Sequence, residues 1–454
     1  MLRSIGLVTG LALLLVACGG GGDSGPATYT VGGTVTAVSG SGLVLQNEGG
    51  DDLPISASGT FTFDTRVISG TPYSVSVLTQ PSPEDFCSVA NASGTVAAAD
   101  VTNVTVTCHG HRGEAFSKLS YVANAGDNTV SAYTVDAPGG ALAAVGTPLA
   151  TGMSPHAIVG TQDKKYVFVG NEGSNDISAF AVNSASGALT AVPGSPFAAG
   201  TDPKALALLG TAPLGTYLYV ANEGSDTVSA FAVDISTGSL TSLSPATFAT
   251  GKGPSSIAVD RTGGFIYVAN NGGSNDVSAF SVDAYTGILT PVAGSPFPAG
   301  GNPLSLAVGG VGAGGKFLYT ANPDATNPSI SGFSLDGIGA LSRLSGSPFP
   351  LPVSHYMATD QTGAYLYVTS GANIVGYAID AATGALTALA GFPVAAGANA
   401  YSISVDPTNQ FLFVTNDGAA NVSAFRLDAA TGSLTPITGS PFAAGNHPEF
   451  IATF

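Results

Sequence analysis

The side chains that could do chemistry in this chain lie at one recurring place, just after the proline, or its equivalent, that opens a short apolar run. They are His156, Lys204, Ser255, Leu304, His355, Tyr401 and Glu449. Around them the sequence is monotonous, yet these seven equivalent positions carry five ionisable groups of different kinds. Variation confined to one repeated spot is what a ligand site grafted onto a symmetric scaffold looks like. A second set follows the Asn that ends the next apolar run: Asn171-Glu172, Asn222-Glu223, Asn270-Asn271 and Asn416-Asp417. The Asn residues read first as strand ends, because Asn tolerates the tight turn that follows, with Asn222 kept as a candidate ligand contact. Glu172 and Glu223, facing His and Lys, could act as acid or base. Asp127, Asp176, Asp226 and Asp276 read as turn residues. No loop has the oxygen spacing of a Ca²⁺ site, and neither a metal nor a cofactor is expected.

What must position these residues is a repeat. The string Tyr219-Val220-Ala221-Asn222 recurs as YVAN at 121–124, FVGN at 168–171, YVAN at 267–270, YTAN at 319–322, YVTS at 367–370 and FVTN at 413–416, giving seven copies. Their spacing of 46 to 52 residues suits a four-stranded propeller blade and is too long for a two-helix repeat. Each unit alternates short β-branched and aromatic runs with Gly, Asn and Asp turns, which predicts four antiparallel strands. The first copy lacks an inner strand and the chain ends on one, at 450–454. The two ends are therefore expected to complete one blade and close the ring. The reading is all-β: a seven-bladed propeller over 115–454. Neighbouring antiparallel strands reverse direction, so both sets of residues share one mouth. His156 and His355 are expected across that mouth from one another, with Lys204 beside His156, Tyr401 and Glu449 beyond His355, and an uncharged side at Ser255 and Leu304.

The blade pattern P-x-x-I-A-V-D, Y-V-A-N, V-S-A-F and T-G-x-L-T resembles the seven-bladed lactonase family, which includes propeller-type 6-phosphogluconolactonases, across all of 115–454. It is also similar to Y-V-T-N-repeat surface propellers. The resemblance implies that the family's catalytic His falls at Pro155-His156, its Arg at Pro203-Lys204 and its Glu at Asn222-Glu223. His156 or Glu223 would then be the base and Lys204 the group that steadies a carbonyl oxygen. The remaining ring and mouth residues, His355, Tyr401, Glu449, Glu172 and Asn222, would contact the ligand. The family's Pro-Arg-His reads Pro203-Lys204-Ala205 here, which replaces a forked donor by a point charge and removes a second His. On that ground the expectation is a ligand- or partner-binding propeller, with hydrolysis of an uncharged lactone as the alternative.

Ahead of the propeller, residues 1–17 read as a lipoprotein signal, because Leu15-Val16-Ala17-Cys18 resembles the bacterial lipobox, in which Cys18 would be lipidated. Residues 18–26 read as a Gly-rich tether, 27–110 as a small β-sandwich module and 111–114 as a linker. Cys87 and Cys108 form an even pair, expected as a disulfide closing the last hairpin of that module. This organisation implies a cell-envelope location at the outer membrane, a monomer, and membrane contact only through the anchor. With 12 basic and 29 acidic residues, nucleic acid is a poor partner. The partner is expected to be a small lactone or an envelope glycan or protein. The propeller holds nine Lys and Arg against twenty Asp and Glu, which disfavours a phosphorylated substrate.

Overall fold

The protein is described by a computed structural model covering residues 27–36, 42–79, 86–109, 118–136, 139–211, 215–260, 263–310, 316–324, 326–352 and 356–454. The signal segment, Cys18, the tether, the linker and His355 lie outside the described residues. The chain divides into two compact units, Met1–Glu114 and Ala115–Phe454.

The first unit is a β-sandwich. One sheet has the order Gly59–Thr62, Val31–Thr36, Val101–His109, Phe86–Ala90, and the other Asp51–Ile55, Leu43–Asn47, Pro72–Thr79, Ser93–Thr95. Strand alternation turns Val31, Val35, Leu45, Phe63, Val104 and Val106 inward to one core. Cys87 and Cys108 are directly opposite on paired antiparallel strands and form a buried disulfide. The expected hairpin is corrected in one respect. Between the two cysteines the chain visits the other sheet through Ser93–Thr95, so the bond ties strands that are not sequential.

The second unit is a propeller of seven sheets. In blade 1 the C-terminal strand Pro448–Thr453 pairs antiparallel with Lys118–Asn124, matching Tyr121 with Ala452 and Val122 with Ile451, so the ends of the unit close the ring. Blades 2 to 7 begin with inner strands at 155, 203, 254, 305, 357 and 400. The second strand of each blade is apolar on both sides because both sides face another blade. Leu218 and Val220 pack toward blade 2, and Tyr217, Tyr219 and Ala221 toward blade 4. Among the described residues, seven such clusters fill the seven blade interfaces.

The recurrent motifs are bolts across those interfaces. Buried Tyr121, Tyr219, Tyr267, Tyr319 and Tyr367 each donate their hydroxyl to a glycine carbonyl in the next blade, Gly187, Gly287, Gly339, Gly384 and Gly432, at 2.7–3.1 Å. Burial pushes these phenols upward, which keeps them as neutral donors. The turn requires glycine twice over: Gly287 has φ +70°, and a Cβ there would stand 2.4 Å from the Tyr217 ring.

Candidate functional site

In blades 2 to 4 the residue after the opening proline occupies a bulge. Pro155 pairs with Asn171 and Ala157 with Gly170, leaving His156 as the extra residue, and the same shift brackets Lys204 and Ser255. Register irregularities also bracket Tyr401 and Glu449. A bulge bends the strand and re-aims the unpaired side chain, which accounts for a repeated scaffold presenting different chemistry at this one position.

Four of the ring residues form a contiguous arc through blades 7, 1, 2 and 3. His156 is 2% exposed. Its Nδ1 lies 2.8 Å from the Lys204 carbonyl oxygen, which can only accept, so Nδ1 carries the hydrogen and Nε2 is left with its lone pair. Nε2 faces the Tyr401 hydroxyl at 3.3 Å and Glu449 Oε2 at 3.4 Å. Burial, followed by the Lys204 charge, pushes the imidazole down to about 3. Burial, followed by the charge of Glu172, pushes Glu449 up to about 7 against the opposing charge of Lys204. The 3.4 Å approach has ion-pair geometry. Those two directions nonetheless make the pair a neutral imidazole beside a half-ionised carboxyl at neutral pH.

At the outer edge of the arc Lys204 Nζ lies 2.7 Å from Glu172 Oε2 and 3.5 Å from Glu223 Oε2. Burial opposes the ammonium charge, but Glu172, then Glu223 and Glu449, outweigh it and raise its pKa. Farther along the rim His447 Nδ1 meets Asp417 Oδ1 at 2.8 Å. Ser255 donates to the Pro303 and Ala269 carbonyls, so this uncharged side is closed on its own backbone.

Two readings are corrected. Asn222 is wholly buried: Nδ2 donates to Ser229 and Thr227 and Oδ1 accepts from Gly200 N, so it fastens the loop and cannot touch a ligand. His156 does not reach the open mouth, because both ring nitrogens face inward partners. It therefore cannot take a proton directly from bound water. His355 cannot be placed across from it, lying outside the described residues.

The sequence reading missed the layer beneath. One position farther along the inner strands stand Ala157, Ala205, Ser256, Ser305, Tyr356, Ser402 and Phe450, five small residues and two aromatics. Tyr356 and Phe450 meet edge to face at 4.7 Å, and Phe450 tilts against His156 at 4.9 Å, closing the channel under the arc. A cavity of about 160 Å³ remains behind this plug, bounded by Ser255, Ser305 and Ser402 among others. The signal was present: two rings among small residues at a position that otherwise tolerates only Ala or Ser.

The profile of the family described as "Lactonase, 7-bladed beta-propeller" matches residues 115–201, 193–308 and 299–448. The chain belongs to the seven-bladed lactonase family. Among solved structures it is similar to a candidate 6-phosphogluconolactonase from Bacteroides uniformis, with 15% identity, a TM-score of 0.63, and 75% of this chain and 100% of that one covered. A second candidate 6-phosphogluconolactonase, from Bacteroides fragilis, gives 18% identity, a TM-score of 0.63 and coverage of 75% and 99%. A periplasmic gluconolactonase from Pseudomonas aeruginosa gives 19%, 0.58, and 74% and 98%. These likenesses lie in the fold. No curated protein matches the chain. The lactonase-family propeller thus covers the unit that carries Lys204, Glu172, Glu223, Glu449, Tyr401 and His156.

Proposed function

We propose that this protein is a lactone hydrolase that opens an uncharged ring ester at the Lys204 mouth. The observation that carries the reading is Lys204 itself, a partly buried ammonium held by Glu172 and Glu223 beside the ionisable carboxyl of Glu449. Water attack on a lactone places negative charge on the carbonyl oxygen, and a fixed cation at that point stabilises the transition state more than the ground state. A neighbouring carboxylate takes the proton that water must lose. Family membership and the lactone-related names of the structural neighbours support hydrolysis over simple ligand binding, although Lys204-Ala205 stands where the family's Arg-His is expected.

The substrate class follows from charge. Glu172, Glu223, Glu449 and Asp417 surround the mouth against Lys204 and His447, so a phosphate dianion would meet repulsion that a neutral sugar-like lactone would not. An extracytoplasmic place, with Cys18 lipidated, is part of the proposal and is supported by the Cys87–Cys108 disulfide. The test is kcat/KM on neutral lactones for the wild-type chain and for Lys204→Met. The variant should fall by about 10²–10³-fold, as for loss of one oxyanion donor. Equal activity in the two proteins would refute the role of Lys204.

A further inference from the structure

We propose that Glu449 is the general base of ring opening, and that His156 and Tyr401 are positioning residues that keep its carboxylate reactive. The proposal rests on the lactone-hydrolase reading. Glu449 Oε2 is buried and, among the described residues, no hydrogen-bond donor reaches it. A buried carboxylate oxygen without a donor is a destabilised anion that gains by taking a proton. His156 Nε2 stands 3.4 Å away and cannot donate, because the Lys204 carbonyl fixes the hydrogen on Nδ1. Nε2 instead faces the Tyr401 hydroxyl at 3.3 Å, which seats that donor on the imidazole rather than on the carboxylate. The cage thus leaves the ionised form without a donor at this oxygen.

The other candidates are committed elsewhere. Glu172 and Glu223 both hold Lys204, and His156 is shut in. Burial opposes the ionisation of Glu449 most, the charges of Glu172 and Asp417 oppose it further, and those of Lys204 and His447 assist it without offsetting the rest. Tyr401, raised by burial and by the Glu449 charge, stays a neutral phenol that seats its hydroxyl against His156.

The step balances within the site. Water oxygen bonds to the lactone carbonyl carbon while its proton passes to the outer oxygen of Glu449. The carbonyl π pair moves to the oxygen beside Lys204. The C=O then re-forms, the ring C–O bond breaks, and the alkoxide takes the proton back from Glu449. The product is the hydroxy acid and the carboxylate is regenerated.

The test combines a titration with kinetics on the full chain. In ¹³C NMR of Glu-labelled protein, the resonance lost in Glu449→Gln should titrate near 7, and kcat/KM of the wild type should rise with the same midpoint. Glu449→Gln should lower kcat by about 10²–10⁴-fold while still unfolding cooperatively and no less stable than wild type. His156→Gln, whose amide can donate to Oε2, should move both midpoints toward acid with KM little changed, an effect that loss of packing alone would not produce. A Glu449 midpoint near 4.5, or a His156→Gln profile that does not move, would overturn the proposal. Lactone turnover that survives Glu449→Gln removes this assignment alone, whereas no turnover by the wild type removes the lactonase reading and the base with it.

Discussion

A base kept out of its preferred ionised state should cost the fold stability, and Glu449→Gln measures that cost. The carboxyl is raised from the ordinary 4.5 to about 7 in the folded protein. Its contribution is therefore fully favourable below 4.5, where both folded and unfolded chains are protonated, and is lost as pH rises through 7. Full expression of that shift would cost the ionised native state about 3 kcal/mol, and water at the outer oxygen reduces this to about 2 kcal/mol. Gln fills the same space without a charge. Relative to wild type, the variant should gain about 2 kcal/mol between pH 5 and pH 8.5. His156, held neutral, destabilises both proteins alike as pH falls below 6.5, so it cancels from the difference. Urea unfolding followed by tyrosine fluorescence suits a chain with fifteen Tyr and no Trp. A stability difference between variant and wild type that is the same at both pH values would refute the reasoning.

Two further outcomes test the scaffold. Tyr219→Phe leaves the buried Gly287 carbonyl without its donor and should cost about 1–2 kcal/mol in urea unfolding, while Phe168, which holds the equivalent place naturally, predicts that the fold survives. Deleting residues 450–454 strips most of the strand paired with Lys118–Asn124 and exposes a sheet edge, so the truncated chain should melt lower and self-associate in light scattering. Melting like that of the intact chain would contradict ring closure.

The propeller was legible because one physical demand, two buried faces on every second strand, repeats in every blade and leaves the same Tyr, Asn and Gly at the same spacing. The ring was legible for the complementary reason, since Lys204, Tyr401, Glu449 and His156 break a pattern that the scaffold keeps elsewhere. What the spacing did not carry was depth along the channel. His156 and Lys204 occupy equivalent bulges, yet one is buried against Phe450 and Tyr401 and the other reaches the mouth, and only packing against other blades decides which. Asn222 misled in the same way: its turn lies at the mouth, but its side chain points back to Ser229. The disulfide partners were readable from an even count, whereas the excursion to the second sheet between them depends on pairings that are not sequential. The loss of the Arg-His pair at Lys204-Ala205 had favoured binding over catalysis. Family membership and the carboxyl at Glu449 shift that balance toward hydrolysis.

Proton release measured by pH-stat tests the central claim most directly, since each opened lactone yields one ionised acid. The account expects the wild-type protein to accelerate opening of a neutral six-membered sugar lactone well above the spontaneous rate. It expects a clear preference for that lactone over its 6-phosphorylated form, and loss of the acceleration in Lys204→Met. Spontaneous rates on every lactone, or a preference for the phosphorylated form, would contradict it.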